Sequence, residues 1–563
     1  MESHSQNNQR ALSFAGGRIT PLLVVAGLTL LVLVPFAGKP FNMDDPVYLW
    51  VARHILQHPA DFFGFNCYWT YTEKPMHEIN MNPPGVSYFI APIIGLFGER
   101  EVPIHLALLI PAVAASLGGF YLARSLCKRP LFAAVLSIIS PVFAVSGTMV
   151  MSDMLMFAFF IWAIVLWREG WEHRDSRALA LGGLLIALAV LTKYSALMLI
   201  PLLGIYSIFH ARKIDVRLLY MVIPIVLIAG YQWYTHHLYG KAMLSEAGNY
   251  AMLSNWRENH GFITRPIITL GFLGGCLAPV LFFAPLTWSW RVLLTSFCAA
   301  FCGAALVTAL HRHVTPLVMG ADRVHWGLLA QWAVYIMGGI LLCLAVLQDI
   351  RRNRDAVSFF LFLWIAGVFS FAAFVNWTVA ARNILPAAPA MAILLVRRLD
   401  ETGQEEERLW RIAWPVIPAA ALALCISWSD YALAGINPVA ARKIAAEAKK
   451  ANAENVLFYG HWGFQYYMEK EGAKPVDCEK PSMKNGDWVA IPENNTGVVE
   501  SPSPWAVPIF TLKVPGCSWL STMQYNVGAG LHSSSFGPLP FVFGRIPVSS
   551  IRVFQIHTGE SGT

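Results

Sequence analysis

Charge is what this sequence has least of. Of its 563 residues, 13% are Asp, Glu, Lys or Arg and 56% are hydrophobic; ordinary soluble domains carry about 25% charged residues. A soluble globular enzyme is excluded by that balance. The formal net charge is only +7, and the cations sit in short loops between apolar runs, which is a topology signal of membrane proteins and not a nucleic-acid surface. Nucleic acid is therefore not expected as a partner. The nine cysteines form no CxxC and no metal-ligand spacing. Cys276, Cys298, Cys302, Cys343 and Cys425 lie in apolar runs and read as small core residues, while Cys478 and Cys517 fall in the less apolar tail, where a disulfide is open to them if the tail lies outside the cytoplasm. No repeat of fixed period is evident, and the only low-complexity tract is the polar N-terminal dozen residues.

Apolar runs are abundant. No charge falls between Ile19 and Gly38, a run long enough to cross a hydrocarbon core of ~30 Å, and without a small-residue cleavage site it reads as a retained first span. Thirteen candidate spans follow: 19–38, 103–123, 131–147, 150–167, 178–192, 194–209, 218–238, 266–286, 292–310, 326–348, 357–375, 383–396 and 412–432. The run 84–97 is short for a span and reads as interfacial or re-entrant. Charge decides that point. The loops with Arg124, Lys128 and Arg129, with Arg168, Arg174 and Arg177, with Arg212, Lys213 and Arg217, with Arg351, Arg352 and Arg354, and with Arg397, Arg398, Arg408 and Arg411 are all short and basic. They share a side with Arg10 and Arg18 only if 84–97 does not cross. The N-terminus is then inside, with a tail 1–18, a membrane domain 19–432 and an outer domain 433–563.

This topology gathers on the outer side the loop 39–102, the corner Ser146–Asp153, the tip Thr192-Lys193, the loops 239–265 and 311–325, and the corner Asn376–Arg382. The outer domain reads as a small α/β unit: an Ala/Lys-rich helix over 438–452, strands at "NVLFYG", "DWVAIP" and "IFTLKV", and a helix at "WGFQYYMEKEG" ending at Gly472.

Isolated charges next to apolar segments are costly and tend to be paired or functional. Asp44 and Asp45 open an apolar stripe at helical spacing, Tyr48, Val51, Ala52 and Ile55. One acid would satisfy a helix N-cap; two at the lipid–water boundary point to a site, with a carboxylate as general base or cation holder. Glu73, Lys74, His77, Glu78 and Asn82 crowd the approach to Pro83-Pro84, and His77 with Glu78 lack the matched partners of a metal site. Asp153 opens the span 150–167. Lys193 stands at a hairpin tip, where snorkelling to the interface is the bland account. Arg382 supplies the fork that suits a phosphate. Facing one another, such acids can activate a hydroxyl while the cations hold an anionic leaving group. Sugar transfer from a lipid phosphate needs both.

The segments "DDPVYLWVARHI" (44–55), "NPPGVSYFIAP" with "LFG" (82–98), "SPVFAVSGTMVMSDMLMF" (140–157), "LLTKYSALMLIP" (190–201), "ARNILPAAPAMAILL" (381–395) and "FYGHWGFQYYME" (458–469) resemble the GT-C superfamily of integral-membrane glycosyltransferases. The likeness is to the bacterial branch with lipid A aminoarabinose transferases and relatives of protein O-mannosyltransferases, glycosyltransferase family 39. It covers most of the chain in order. It implies a mainly α, polytopic fold with about thirteen spans, an interfacial first periplasmic loop and a small C-terminal α/β domain, in a bacterial inner membrane. The implied reaction is inverting transfer from a polyprenyl-phosphate sugar to a glycan, lipid A or protein hydroxyl. Matched residue by residue, Asp44 and Asp45 are the first-loop acid pair and Tyr48 the aromatic one turn later. Asp153 is the acid opening a later span, Lys193 the Lys of the Leu-Thr-Lys hairpin, and Arg382 the basic residue before the Leu-Pro segment. Lys74, Glu78 and Asn82 support the first loop. The chain departs from the aminoarabinose transferases in having Met81-Asn82 where they have Glu-Lys before the proline motif; Glu73-Lys74-Pro75 lies a few residues earlier. Donor headgroup and metal requirement stay open, a divalent cation included. A transporter would place its charges near mid-bilayer in paired halves, and an oligosaccharide ligase or polymerase would use outer-face Arg residues without the acid pair.

Overall fold

A computed structural model describes residues 19–69, 71–257, 263–310, 318–319, 323–401, 413–480 and 483–557. The chain is mainly helical, at 68%. Among the described residues nine helices are long and apolar enough to cross a membrane, from Ile19–Phe36 to Val416–Lys450, and a tenth span arises if Thr264–Cys276 and Pro279–Thr287, bent by 83°, count as one. The other three expected spans are helical but short or broken. Residues 131–147 divide into Pro130–Ile138 and Pro141–Ser146, 178–192 forms Ser176–Val190, and 383–396 forms Ala381–Ile384, a single 3-10 turn and Ala388–Glu401. Each break coincides with a proline at the start of the following turn, at Pro141 and Pro386, where a missing N–H costs least.

The helix Gly85–Phe97 has 13 residues, about 20 Å of rise, short of the ~30 Å core. It packs on Asp45–Gln57, and Ser87 Oγ donates to Tyr48 O at 3.1 Å. Close helix contact elsewhere depends on glycine. A Cβ on Gly274 would lie 1.8 Å from Tyr335 O and one on Gly339 2.2 Å from Leu270 O, so Thr264–Cys276 and Trp326–Asn353 meet backbone to backbone, as small residues allow between membrane helices.

The basic loops expected on one side do gather at one end of the bundle. Arg168 donates to Ser125 Oγ at 2.8 Å, Arg217 to Trp171 O at 2.6 Å and Arg397 to Leu126 O at 3.3 Å. Arg129 pairs with Asp400 at 3.2 Å and Arg352 with Glu401 at 2.7 Å. Arg10, Arg18, Arg408, Arg411 and most of the loop 311–325 lie outside the described residues.

The tail contains the expected strands and helix. Its five-stranded mixed sheet runs in the order Lys474–Pro475, Val456–Phe458, Trp488–Pro492, Ser549–Ile556, Ala506–Val514, with the helix Trp462–Lys470 beside it. The last expected span and the Ala/Lys helix are not separate elements: Val416–Lys450 is one helix of 35 residues, about 50 Å. Alanine-rich sequence on both sides of residue 433 favours helix, and one internal proline, Pro438, does not end it. The tail also returns to the bundle. Ala381 N donates to Leu531 O and Ser534 N to Val379 O, both at 2.8 Å. Cys276 is buried as expected, but Cys298 and Cys302 are exposed, because the helix Trp290–Leu310 turns that apolar face outward, where lipid is as good a solvent as a core. Cys478 and Cys517 are free thiols.

Candidate active site

Residues far apart in sequence meet at the end of the bundle opposite the basic loops. Asp44 is at the N-cap position of Asp45–Gln57 but makes no capping hydrogen bond. Its carboxylate lies 3.5 Å from Arg382 Nη2, with the Asp44 side chain 34% and the Arg382 side chain 17% exposed. Lys193 Nζ is 2.5 Å from Asp153 Oδ1, both nearly inaccessible. Tyr48 joins the two pairs: its hydroxyl is 3.4 Å from Ser152 Oγ and 3.5 Å from Asn82 Nδ2, and Asp44, Asp153 and Arg382 are all within Coulombic reach of it. Lys193 likewise feels Asp44 and Arg382. A tight buried pair thus sits beside a looser, solvent-reachable one.

Local sequence explains the placement. The apolar stripe of Asp45–Gln57 buries Val51, Ala52 and Ile55, which fixes the helix start at the mouth. Asp45 is 1% exposed and spends both oxygens on backbone amides, Oδ2 on Asn42 N and Oδ1 on Val150 N, each at 2.9 Å. It pins the first loop to the 146–153 corner. Loss of hydration pushes its carboxyl up to about 7, against the two amides and Lys39, which favour the ion. Both Asp45 oxygens are thus engaged by the backbone, whereas the Asp44 carboxylate faces Arg382. The Oδ2 of Asp153 is buried and has no hydrogen-bond partner among the described residues, leaving one acceptor open in the site.

Lys74 and Glu78 are not brought to this cluster. Lys74 pairs in register with Cys67 in the hairpin Asn66–Tyr68 with Glu73–Pro75, and Glu78 forms an ion pair with Lys241 at 2.9 Å, both side chains about 40% exposed. His77 stacks on Tyr239 at 5.0 Å. Among the described residues no three His, Cys, Asp or Glu side chains converge as a metal site.

One buried network was missed. Asp430 accepts from Lys39 Nζ at 2.5 Å, His532 Nε2 at 2.7 Å and Thr522 Oγ1 at 2.9 Å, and Lys39 also reaches Thr148 Oγ1 at 3.3 Å. These groups are all buried. A lone acid within the run 412–432 was a visible signal for it; its partners, 391 and 102 residues away, were not.

The family model for dolichyl-phosphate-mannose-protein mannosyltransferases matches residues 81–234, which include Asn82, Asp153 and Lys193. No curated protein gives a significant match. Among solved structures, similarity is found to the archaeal oligosaccharyltransferase AglB from Archaeoglobus fulgidus in complex with an inhibitory peptide and a dolichol-phosphate, at 12% identity over 81% of this chain and 64% of that one, TM-score 0.46. It is also found to ArnT from Cupriavidus metallidurans bound to undecaprenyl phosphate, at 14% identity over 85% and 94%, TM-score 0.44. A third is the arabinofuranosyltransferase AftD from Mycobacteria, at 12% identity over 96% and 40%, TM-score 0.40. The chain thus spans just under two thirds of the length of AglB.

Proposed function

From the family match, which supports a GT-C superfamily membrane glycosyltransferase, we propose that this chain transfers a sugar from a polyprenyl-phosphate donor to an acceptor hydroxyl at the outer face of a bacterial inner membrane. The reading is supported above all by the loose Asp44–Arg382 pair, 3.5 Å apart at a mouth that solvent reaches. Asp44 takes the proton of the acceptor hydroxyl. The hydroxyl oxygen forms the new bond to the anomeric carbon as that carbon's bond to the donor phosphate oxygen breaks, which inverts its configuration. The departing polyprenyl phosphate gains negative charge, and Arg382 holds it through the fork of its guanidinium. Lys193, paired with Asp153 at 2.5 Å, stands behind Arg382 and orders that side of the site. Tyr48, Ser152 and Asn82 order the hydroxyl side of the site. The outer placement is supported by the basic loops gathered at the other end of the bundle, the end that the positive-inside rule assigns to the cytoplasm; the domain limits 19–432 and 433–563 belong to the same reading.

The test is transfer of labelled sugar from a short-chain polyprenyl phosphate donor by the purified chain. Asp44→Asn removes the base without removing a cap bond, so turnover should fall by about 10²–10⁴ with unchanged membrane insertion and melting. Turnover within a fewfold of the parent would refute the role.

A further inference from the structure

One strand pair of the tail is seated on the bundle at a depth where spanning helices are surrounded by lipid. Leu520–Ser521 pairs antiparallel with Val542–Phe543, and the pairing continues as Gly544 N donates to Trp519 O and Ile546 N to Ser518 O, both at 3.0 Å. Two spanning helices hold this pair. Gln331, on Trp326–Asn353, donates from Nε2 to Phe543 O at 2.7 Å and accepts at Oε1 from Phe543 N at 2.9 Å. Ser429, on Val416–Lys450, donates to Leu520 O at 2.8 Å. Deeper in the bundle, fully buried Phe541 packs on Tyr335, 4.8 Å between ring centroids.

Helix length sets the depth of these contacts. No charged residue lies from Trp326 to Gln348, about 34 Å of helix. At the far end Asp349 pairs with Arg397 at 2.9 Å. Counted back from Asp349, Tyr335 stands about 21 Å along the axis and Gln331 about 27 Å, both within a hydrocarbon core of ~30 Å. On Val416–Lys450 the first charge is Asp430, and Ser429 stands about 20 Å from the start of that helix. The count holds whichever side of the membrane the tail faces.

The hydrogen bonding suits that depth. Backbone that is neither helix nor closed barrel survives in the hydrocarbon layer only where protein groups satisfy it. At Phe543 a single carboxamide takes both the N–H and the C=O, and at Leu520 a hydroxyl takes the C=O; in water, solvent would do as well. The outward side chains agree. Trp519 and Phe543 stack at 6.1 Å between centroids and are 47% and 37% exposed. Trp428, the residue before Ser429, is exposed and stacks on Tyr431, and Trp326 is exposed five residues before Gln331. Trp and Tyr are enriched where a protein meets the membrane–water interface. Arg545, exposed two residues after Phe543, has the reach to place its guanidinium at the headgroups while its stem stays in apolar surroundings.

We propose that this strand pair is a membrane anchor of the tail. Trp519 and Phe543 lie in the leaflet on the tail side, Arg545 meets a phospholipid phosphate above them, and the five-stranded sheet remains in water. The occupant is lipid and not a second protein, because the aromatic surface is continuous with faces of spanning helices that a bilayer has to cover. Trp505 provides the contrast. It is also exposed, but it precedes the edge strand Ala506–Val514, whose other end, about 27 Å away, leads to Trp519.

The test is photocrosslinking of the full chain in nanodiscs of phosphatidylethanolamine and phosphatidylglycerol. The photoreactive residue p-benzoylphenylalanine is placed singly in place of Trp519, of Phe543 or of Trp505, and intact-protein mass spectrometry reads the adducts after irradiation. Phospholipid adducts from the first two positions should exceed those from the third by about fivefold or more. Each variant is checked by melting, and one that does not fold is replaced in the reading by the other. A second measurement needs no unnatural residue: in nanodiscs with brominated acyl chains, Trp519→Phe should remove a quenched component of the tryptophan emission and Trp505→Phe should not. The anchor is overturned if adduct yields match that of the Trp505 position, if crosslinked dimers of the chain form in place of lipid adducts, or if the two Phe variants lose the same quenched emission.

Discussion

The buried Lys193–Asp153 pair allows stability and transfer to be separated. At 2.5 Å and an effective dielectric near 20, the Coulomb attraction is about 7 kcal/mol, and taking both ions out of water costs several kcal/mol each. The two nearly cancel, so the pair is worth little to folding as a pair. Removing one partner is different, because the other is left buried and uncompensated. Lys193→Met and Asp153→Asn should each cost about 3–5 kcal/mol, whereas the double variant should return to within about 1 kcal/mol of the parent. Reversible unfolding in mixed micelles, run as a double-mutant cycle, measures this. A purely structural pair would let the double variant recover transfer along with stability. A pair that orders the site behind Arg382 leaves the double variant stable and at least about 10²-fold slower. A double variant as unstable as the singles refutes the electrostatic account, and one that is stable and fully active refutes the role in transfer.

Arg382→Lys keeps the charge but loses the planar fork; donor KM should rise about tenfold or more while melting stays put, as measured by titrating donor in the transfer assay. Asp45 holds its proton more tightly in the folded chain, at about 7 against an ordinary 3.8, so stability should fall as pH rises from about 4 to 7 and level off above. The range is about 4 kcal/mol. Asp45→Asn should flatten that slope in chemical-denaturation midpoints taken across pH. Gly274→Leu would drive a side chain into the Tyr335 carbonyl and should lower the melting temperature by several degrees or abolish folding, as followed by thermal melts in detergent.

Much of the site was legible from charge scarcity alone. Asp44, Asp153, Lys193 and Arg382 stand out because each is an isolated charge beside an apolar run, and positive-inside counting put all four at one end, where the structure gathers them. Lys74 and Glu78 were singled out by proximity in sequence to Pro83-Pro84, yet the hairpin Asn66–Tyr68 with Glu73–Pro75 turns that stretch away; a three-residue pairing leaves too weak a pattern to read. The different surroundings of the two acids were equally hidden, because those of Asp45 depend on the Val150 amide, 105 residues distant. Hydropathy counting ran straight through the breaks at Pro141 and Pro386, since it sums over a break that backbone geometry does not. The His532 contact to Asp430 had no local signal: a histidine in a Ser-rich turn looks like any solvated loop.

The hydrogen bonds from Ala381 to Leu531 and from Ser534 to Val379 mean that the corner bearing Arg382 is braced by a strip of chain some 150 residues further on. The soluble tail is consequently no detachable accessory. A chimera that grafts a relative's tail onto this bundle has to retain residues 529–536 as its own, and a truncation before them would unseat the guanidinium while leaving every helix of the bundle intact.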